Sequence, residues 1–505
     1  MQLTLVPAIE RSPRLLTAAQ TLVGRLVLIA IAWLLLVLLN YQWPLPTVAA
    51  LALFILWPQY RREWLSLATV GFWLFGFQWF GEQAIAEQLQ LFALGPAASA
   101  VAPLISLALA VLLIGGIHAL LFQLPRWNIR PLAGAIILYA VLAILASYAP
   151  LAEPWRAVLW LFLIYWSRFF WFGAYTLHDW NRPLPGRWRQ LSHALPFWSP
   201  SDIPYPKAAA YLQRIEAKDA EAAAVSQLKG VKLLYWALWL VLFTALFKAT
   251  FYGYGELFGG YVRLVRDQGE LLLGADSWAV ATGIVIPQWL HVDDYFRTFD
   301  YCAVTACDDS WRNWKAIGAR FIEDLLWTAV MGHVAIGIVR LAGYNALRNT
   351  VNPVASRSIA DFWNRYNYYF KELLVNLFYF PAFLSLRFCP PWLRMYLAVI
   401  FAVCFGNFLF HLVRGIDSTI RYGVWDAVWE FRTFFLYTLI LAHGIFLSQY
   451  INERRRGRKS WLERRIATPV IVLGFFCLAT VFVDHRRGTS IESQLKFILS
   501  LFGLN

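Results

Sequence analysis

Residues 132–149 read LAGAIILYAVLAILASYA, a run of apolar residues without a charged side chain. A helix needs about 20 such residues to cross the roughly 30 Å hydrocarbon core of a bilayer. In lipid the backbone must satisfy its own hydrogen bonds, and a helix does so within a single segment. We therefore predict a transmembrane helix in this stretch.

Similar runs continue in both directions along the chain. The predicted spans lie at about 21–39, 46–57, 64–80, 101–123, 132–149, 155–177, 231–249, 322–343, 395–413, 429–449 and 466–484. The pattern predicts an all-α polytopic membrane protein with about 11–12 transmembrane or re-entrant helices around an internal cavity. We divide the chain into an amino-terminal transmembrane bundle, 1–230, and a second unit, 231–505.

The composition favours a membrane protein and argues against several other classes. Of the 505 residues, 60% are hydrophobic and 15% are charged, whereas a soluble chain carries about 25% charged residues. The net charge of +14 comes from short Lys and Arg clusters between apolar runs, so nucleic acid is not an expected partner. The five cysteines show no C-x-x-C spacing, which argues against a zinc ribbon. Cys302 and Cys307 would form a disulfide if their loop is extracytoplasmic.

The positive charges predict the orientation in the membrane. Arg11 and Arg14 precede the first span, the segment 178–230 is rich in Lys and Arg, and residues 454–459 read RRRGRK. Cytoplasmic loops of membrane proteins carry an excess of such residues. The amino terminus, the segment 178–230 and the loop 451–465 are therefore predicted to be cytoplasmic. Within 178–230, the stretch from Ala208 to Ala224 predicts an amphipathic surface helix.

The number of spans fits this orientation only if one apolar stretch between 250 and 394 enters the membrane without crossing it. We predict that residues 271–290, which Gly274, Asp276 and Gly283 interrupt, form this re-entrant stretch. Irregular backbone at membrane depth has to be buried in protein or line a cavity. A transporter is therefore one alternative function, with broken helices at 271–290 as its binding site and Asp276 as its acidic residue.

Residues 358–381 read SIADFWNRYNYYFKELLVNLFYFP, which is more polar than a lipid-facing span and dense in aromatic side chains. The segment resembles the signature of the membrane-bound O-acyltransferase family, S-x-x-x-F-W-x-R-W-H-x-S followed by W-F-R-D-Y, a tyrosine and a proline, in its bacterial alginate-acetylase-like branch. The matching residues are Ser358, Phe362, Trp363, Arg365, Tyr379 and Pro381. The segment departs from the family at Tyr366 and Asn367, where a tryptophan and a histidine are usual, and at Leu373 to Leu377, which replace W-F-R-D-Y.

A second resemblance lies downstream, at two histidines. His411 is similar to the family's intramembrane histidine, and His443, in a His-Gly pair, is similar to its second histidine. The resemblance implies that His411 is the general base, since a neutral imidazole can take the proton of a hydroxyl that attacks an acyl group. It implies that Asn367 donates a hydrogen bond to the oxyanion. The expected substrate-binding residues are Trp363, Tyr366, Asn376 and His443.

Together the resemblances imply that 231–505 is an acyltransferase core. Its expected reaction moves an acyl group from an activated donor to a hydroxyl of a glycan, lipid or small secreted molecule. The implied donor is an acyl thioester, either acyl-CoA or an acyl-carrier protein, with no bound cofactor and no metal. The expected partners are this donor, membrane lipids and accessory membrane or extracytoplasmic proteins, and the expected location is a bacterial plasma membrane.

Other interpretations of these residues stay open. The changes at Leu373 to Leu377 favour a non-catalytic member of the family, acting as a scaffold or lipid-binding subunit of a membrane complex. His411 or His443 could simply bond a neighbouring helix, as polar side chains in membrane bundles often do. The run from His291 to Asp309 contains metal-ligand residue types, but its spacing matches no known metal site.

Overall fold

A computed structural model gives the fold of the chain. It describes residues 7–75, 87, 88, 108, 131–179, 197, 198, 203–268, 270–275, 278–304, 309–454, 460–483 and 489–504. Helices account for 77% of the structure. The chain is therefore predominantly helical, as the apolar runs predict.

The described helices fall into two groups along the chain. The first group is α1 (Pro13–Gln20), α2 (Leu22–Leu38), α3 (Pro44–Leu56), α4 (Arg61–Phe75), α5 (Pro131–Tyr148), α6 (Glu153–Asp179), α7 (Ala209–Ile215) and α8 (Ala220–Tyr252). The second group is α9 (Tyr295–Val304), α10 (Ser310–Leu341), α11 (Ile359–Tyr366), α12 (Tyr368–Leu374), α13 (Phe380–Ser385), α14 (Pro391–Val399), α15 (Asn407–Arg414), α16 (Ile416–Tyr422), α17 (Val424–Glu430), α18 (Arg432–Arg454), α19 (Thr468–Ala479) and α20 (Ile491–Leu501). Turns of π-helix join α12 to α13, join α14 to α15 and precede α19.

Within the described ranges, six helical segments are long and apolar enough to cross a membrane. They are Glu153–Asp179, Ala220–Tyr252, Ser310–Leu341, Pro391–Arg414, Arg432–Ile451 and Arg465–Phe482. The count is seven if α1 and α2, which are bent by 97°, form one span. The chain is thus a membrane-embedded protein. The predicted spans 64–80 and 101–123 lie partly or almost wholly outside the described residues, so the total of 11–12 stays a prediction.

The long helices α8 and α10 pack against each other in antiparallel directions. A Cβ atom added to Gly230 would lie 2.8 Å from the carbonyl oxygen of Gly337, so the two backbones approach as closely as small residues allow. Near the other end of the pair, Lys248 Nζ lies 3.0 Å from Glu323 Oε1. We call the end of the bundle that contains Tyr252 the sheet end, after the sheet that follows it.

A four-stranded antiparallel sheet follows α8, in the order β1 (Tyr254–Leu257), β2 (Val262–Asp267), β3 (Glu270–Ala275) and β4 (Trp278–Val285). The chain is still predominantly helical, as predicted, and this sheet adds a small β part to it. Strands lie in the stretch 271–290, where a re-entrant segment was predicted. An apolar run alone does not distinguish a strand from a helix, and here successive side chains alternate between the two sides of a sheet. The alternative of a transporter site formed by broken helices is therefore wrong, because this stretch forms strands. Asp276, its predicted acidic residue, lies outside the described residues.

The stretch from Ala208 to Ala224 is also not a surface helix. It forms α7 and the start of α8, and Tyr211 and Leu212 of α7 are buried. Asp219 begins α8, because its Oδ1 accepts the backbone N–H of Ala222 at 2.7 Å. The helix then continues through the predicted boundary at 230/231. One buried cluster contains residues from both sides of that boundary, so the two predicted units share a core.

Two described features mark the sheet end of the bundle. Cys302 of α9 is disulfide-bonded, while Cys389, Cys404 and Cys477 are free. Cys307, its predicted partner, lies outside the described residues. Helix α20 packs against the start of α10, where Ser310 Oγ donates to the carbonyl oxygen of Ser500 at 2.9 Å. The carboxyl-terminal helix is thereby fixed at this end.

Candidate functional site

Helix α11 contains the first half of the signature segment, and its start is well defined. Ser358 Oγ accepts the backbone N–H of Asp361 at 2.9 Å, as an N-cap serine does. The Asp361 carboxylate lies 3.0 Å from Arg365 Nε, one turn later. Phe362 is buried and stacks on Phe476 of α19, with ring centroids 3.9 Å apart. The matching residues Ser358, Phe362 and Arg365 therefore shape and anchor this helix.

This short helix lies near the middle of two spanning helices. A Cβ atom added to Gly444 of α18 would lie 3.0 Å from Ile359 Cδ1. Tyr366 lies at the other end of α11, and its hydroxyl is 2.8 Å from Thr328 Oγ1 of α10. Because Gly444 and Thr328 are far from the ends of their helices, the signature segment penetrates the bundle.

The chain bends at Asn367, between α11 and α12. Its backbone angles, φ −142° and ψ 75°, are not helical. Its side-chain Oδ1 is buried and has no hydrogen-bond partner among the described residues, and the same holds for Nε1 of Trp363 one turn earlier. Burying a polar atom without a partner costs about 1–3 kcal/mol. Two of the buried polar atoms without a partner in the described chain therefore lie close together, on α11 and at the bend that ends it, which we call the hinge.

His411 lies on α15 in an aromatic environment. Its ring centroid is 4.3 Å from that of Phe434, 5.3 Å from that of Phe410 and 6.3 Å from that of Phe370. Phe370 is one turn beyond Asn367 on the next helix, and its ring is 5.8 Å from that of Trp363. The structure therefore joins His411 to the hinge through one shared aromatic side chain.

An apolar cavity of about 420 Å³ lies beside the hinge. It is lined by Ala360, Asp361, Trp363, Asn364, Lys371, Leu374, Val375, Tyr379, Val399, Ala402, Val403, Asn407, Leu441, Ile445 and Gln449. The lining residues Trp363 and Asn407 each carry a buried polar atom without a partner in the described chain. The cavity thus combines apolar walls with a small number of hydrogen-bonding groups, as ligand pockets usually do.

A second cavity, of about 360 Å³, is polar. It is lined by Tyr175, His178, Asp179, Lys207, Ala210, Tyr211, Arg214, Tyr368, Glu372 and Asn376. The Glu372 carboxylate pairs with both Lys207 and Lys371. Burial acts to raise the pKa of Glu372, but these two ammonium groups lower it below its ordinary value. The two lysines therefore favour the ionised form of this carboxylate.

The two cavities lie on two faces of one helical stretch, α12 and the π turn that follows it. Tyr368, Glu372 and Asn376 line the polar cavity, and Lys371 and Val375 line the apolar one. Within each set the residues are four positions apart, the spacing that places side chains on one face of a helix. The segment therefore separates a polar compartment from an apolar one.

The six predicted site residues divide into three groups. Trp363 lines the apolar cavity, and Asn376 lines the polar cavity and donates from Nδ2 to Tyr175 Oη at 3.4 Å. Tyr366 and His443 are bonded to other helices. His411 and Asn367 lie near the hinge, although neither is among the lining residues of the two cavities in the described part of the chain.

His443 is held at both ring nitrogens. Nε2 lies 2.9 Å from the hydroxyl of Tyr396, and Nδ1 lies 2.8 Å from the carbonyl oxygen of Leu439. Because a carbonyl oxygen only accepts, Nδ1 carries the proton and Nε2 accepts from Tyr396. This histidine joins α18 to α14.

Sequence reasoning missed the polar residues that the fold brings in from distant positions. Lys207 and Glu372 are 165 positions apart, and nothing in the local sequence around either residue indicates the other. Asn407 was also missed, although an asparagine in an otherwise apolar run four residues before His411 was a usable signal.

The comparisons with known proteins add no family to this geometry. No protein-family model matches the sequence, and no curated protein is significantly similar to it.

Proposed function

We propose that this chain is a membrane acyltransferase, which moves an acyl group from an activated donor to a hydroxyl of a glycan, lipid or small secreted molecule. The observation that carries the proposal is the apolar cavity beside the signature segment. Its walls suit an acyl group, and the lining residues Trp363 and Asn407 carry hydrogen-bonding groups for the polar end of such a ligand.

In the proposed reaction, His411 takes the proton of the acceptor hydroxyl while the hydroxyl oxygen attacks the acyl carbon. The bond from that carbon to the donor sulfur then breaks, and the thiolate leaves with the proton. An oxyanion develops on the acyl oxygen between these steps. Asn367 donates a hydrogen bond to this oxyanion. Its side-chain amide has to flip by 180°, so that Nδ2 takes the place of Oδ1.

The proposed orientation places the amino terminus and the loop 451–465 in the cytoplasm of a bacterial cell and the sheet end outside its plasma membrane. The disulfide at Cys302 supports this orientation, because disulfides persist in oxidising compartments. In this orientation one stretch between 250 and 394 has to enter the membrane without crossing it. The signature segment, between α10 and α14 in the chain, takes that role in place of 271–290.

Accessibility labelling tests this orientation. We expect a cysteine that replaces Arg456 to resist a membrane-impermeant maleimide added to intact cells, because RRRGRK is cytoplasmic. The control is Tyr261→Cys in the turn of the sheet, where the native side chain is 81% exposed, and it should react from outside. Both variants are made without the free thiols Cys389, Cys404 and Cys477. Labelling of the first variant and not the second would reverse the orientation.

The catalytic role is tested by replacing His411. We expect His411→Gln to lower acyl transfer by about 10²–10⁴-fold, the contribution of a positioned general base. Membranes containing each variant are incubated with a radiolabelled acyl-CoA, and acylated product and donor hydrolysis are measured against the folded protein recovered in detergent. His443→Gln is the matched control, because it removes a histidine that is bonded to other helices. Full transfer by well-folded His411→Gln would refute the mechanism.

One observation favours a second candidate, a lipid-binding subunit without catalysis. Three phenylalanine rings contact the His411 ring, which suits a packed histidine as well as a base. In that case the purified wild-type protein would retain an acyl lipid in the apolar cavity but would not hydrolyse or transfer an acyl thioester. Replacing Leu374 by Trp would then release the lipid without any change in transfer.

A further inference from the structure

The two faces of the sheet at the end of α8 differ, because one is apolar apart from Arg266 and the other carries four charged side chains. The cross-strand register puts Leu257, Leu264, Leu271 and Leu273 on one face, and all four pack with residues 241–249 of α8. The opposite face carries Glu256, Arg263, Asp267 and Glu270. The leucine-bearing face is the inner face, and the charged one is the outer face.

The inner face extends beyond the helix that covers it. In β4, Val280 pairs with Leu273 and Trp278 pairs with Ala275, so both side chains belong to the inner face. They are nevertheless 58% and 47% exposed, and every residue of β4 is exposed. An apolar strip of the inner face is therefore uncovered, next to the part that packs on α8.

The sheet packs on the carboxyl-terminal end of the apolar stretch of α8, a helix long and apolar enough to cross a membrane. No charged residue occurs between Lys232 and Lys248, and this apolar stretch is what makes α8 long enough to span. Its own outer side is apolar, with Phe243 54% exposed. The strip of β4 thus belongs to a sheet that packs on an apolar helix with exposed apolar side chains of its own.

We propose that the strip of β4, Trp278 and Val280, inserts into the headgroup region of the leaflet at the sheet end. The bilayer surface is its partner, and the charged outer face stays in water. In the described sheet β4 is an edge strand, and an open edge cannot enter the hydrocarbon core. The sheet therefore lies at the interface, where exposed tryptophan side chains such as Trp289 are favoured.

Spin labelling in proteoliposomes tests this proposal, because neighbouring strand residues report opposite faces. Single cysteines replace Trp278, Ala279, Val280 and Ala281 in a protein without the free thiols Cys389, Cys404 and Cys477. We expect collisions with oxygen to rise and collisions with a nickel complex to fall at 278 and 280 relative to 279 and 281. Phe243→Cys calibrates the lipid value, and Asp267→Cys calibrates the water value.

Each other outcome overturns the proposal. Equal nickel accessibility at all four positions would mean that both faces are in water and that the strip awaits a soluble partner. An alternation that disappears when the protein is diluted into excess lipid would mean that a second copy covers the strip. All positions are native surface sites, and recovery of monodisperse protein in detergent confirms that each variant folds. The acyl-transfer proposal is unaffected by either result.

Discussion

Two groups of polar side chains lie within the bundle around α11, and they differ in their hydrogen bonding. Tyr366 bonds Thr328 at 2.8 Å, and His443 bonds both Tyr396 and a backbone carbonyl. On the same short helix and at the bend that follows it, Trp363 Nε1 and Asn367 Oδ1 are buried and have no partner among the described residues.

The difference separates structure from candidate function. A polar group that is fully bonded to neighbouring helices stabilises one arrangement of the bundle. A buried group without a partner destabilises the protein unless a ligand bonds to it. Sequence resemblance assigned substrate binding to Trp363, Tyr366 and His443 alike. Of these three, Trp363 lines the apolar cavity, whereas Tyr366 and His443 are bonded to neighbouring helices.

The largest effect on acyl transfer is expected when Asn367 is replaced. We expect Asn367→Ala to lower acyl transfer by about 10²–10³-fold, as the loss of an oxyanion donor does elsewhere. Folding should be retained, because the substitution removes a buried atom that has no partner in the described chain. The measurement is initial transfer rate per folded molecule.

Asn345→Ala is the matched control for that substitution, since its side chain is exposed. It should keep the wild-type rate. If Asn367→Ala also keeps the wild-type rate, the hinge is a structural kink, and the unsatisfied atom does not indicate catalysis.

The membrane class and most long helices were predictable from the sequence, because a bilayer requires long apolar helices. The predicted spans 155–177 and 322–343 fall within α6 and, but for two residues, within α10. The composition and spacing of the signature predicted that 358–381 is not an ordinary lipid-facing span. They did not predict the bend at Asn367, since a helix break without proline or glycine is decided by tertiary contacts.

The sheet was misassigned for a related reason. Residues 271–290 are apolar enough to be taken for a membrane segment, and their strand character depends on pairing with β2 and packing on α8. The charged pair of Lys207 and Glu372 was not predictable either, because the fold brings the two side chains together from different parts of the chain. Local patterns thus identify single elements but not the partners of polar residues.

A smaller effect, on stability, is expected at this charged pair. Glu372 pairs with two lysines, so Glu372→Gln leaves both Lys207 and Lys371 without their carboxylate, whereas Lys207→Met leaves one pair intact. We expect Glu372→Gln to cost about 1–3 kcal/mol and Lys207→Met to cost less, because the side chains are only partly buried. The measurement is thermal unfolding of the purified variants in detergent.

The double variant Lys207→Met with Glu372→Gln distinguishes pairing from simple loss of packing. If the ion pair matters, the double variant is more stable than the sum of the two single costs predicts. Strict additivity would mean that the two side chains stabilise the protein independently. In that case the pairing of Lys207 with Glu372 would not stabilise the protein, and this pair could not be contrasted with the unbonded polar atoms at Trp363 and Asn367.

The smallest effect is expected where the polar group is fully bonded. Tyr396→Phe removes only the hydroxyl that donates to His443 Nε2, and one interhelical hydrogen bond in a membrane contributes about 0.6–2 kcal/mol. We therefore expect a slightly lower unfolding temperature and an unchanged rate of acyl transfer per folded molecule. Tyr450→Phe, on the same helix as His443, serves as the control for loss of a hydroxyl. A large loss of acyl transfer in Tyr396→Phe alone would indicate that His443 takes part in the reaction. Complete hydrogen bonding would then not distinguish structural polar residues from functional ones.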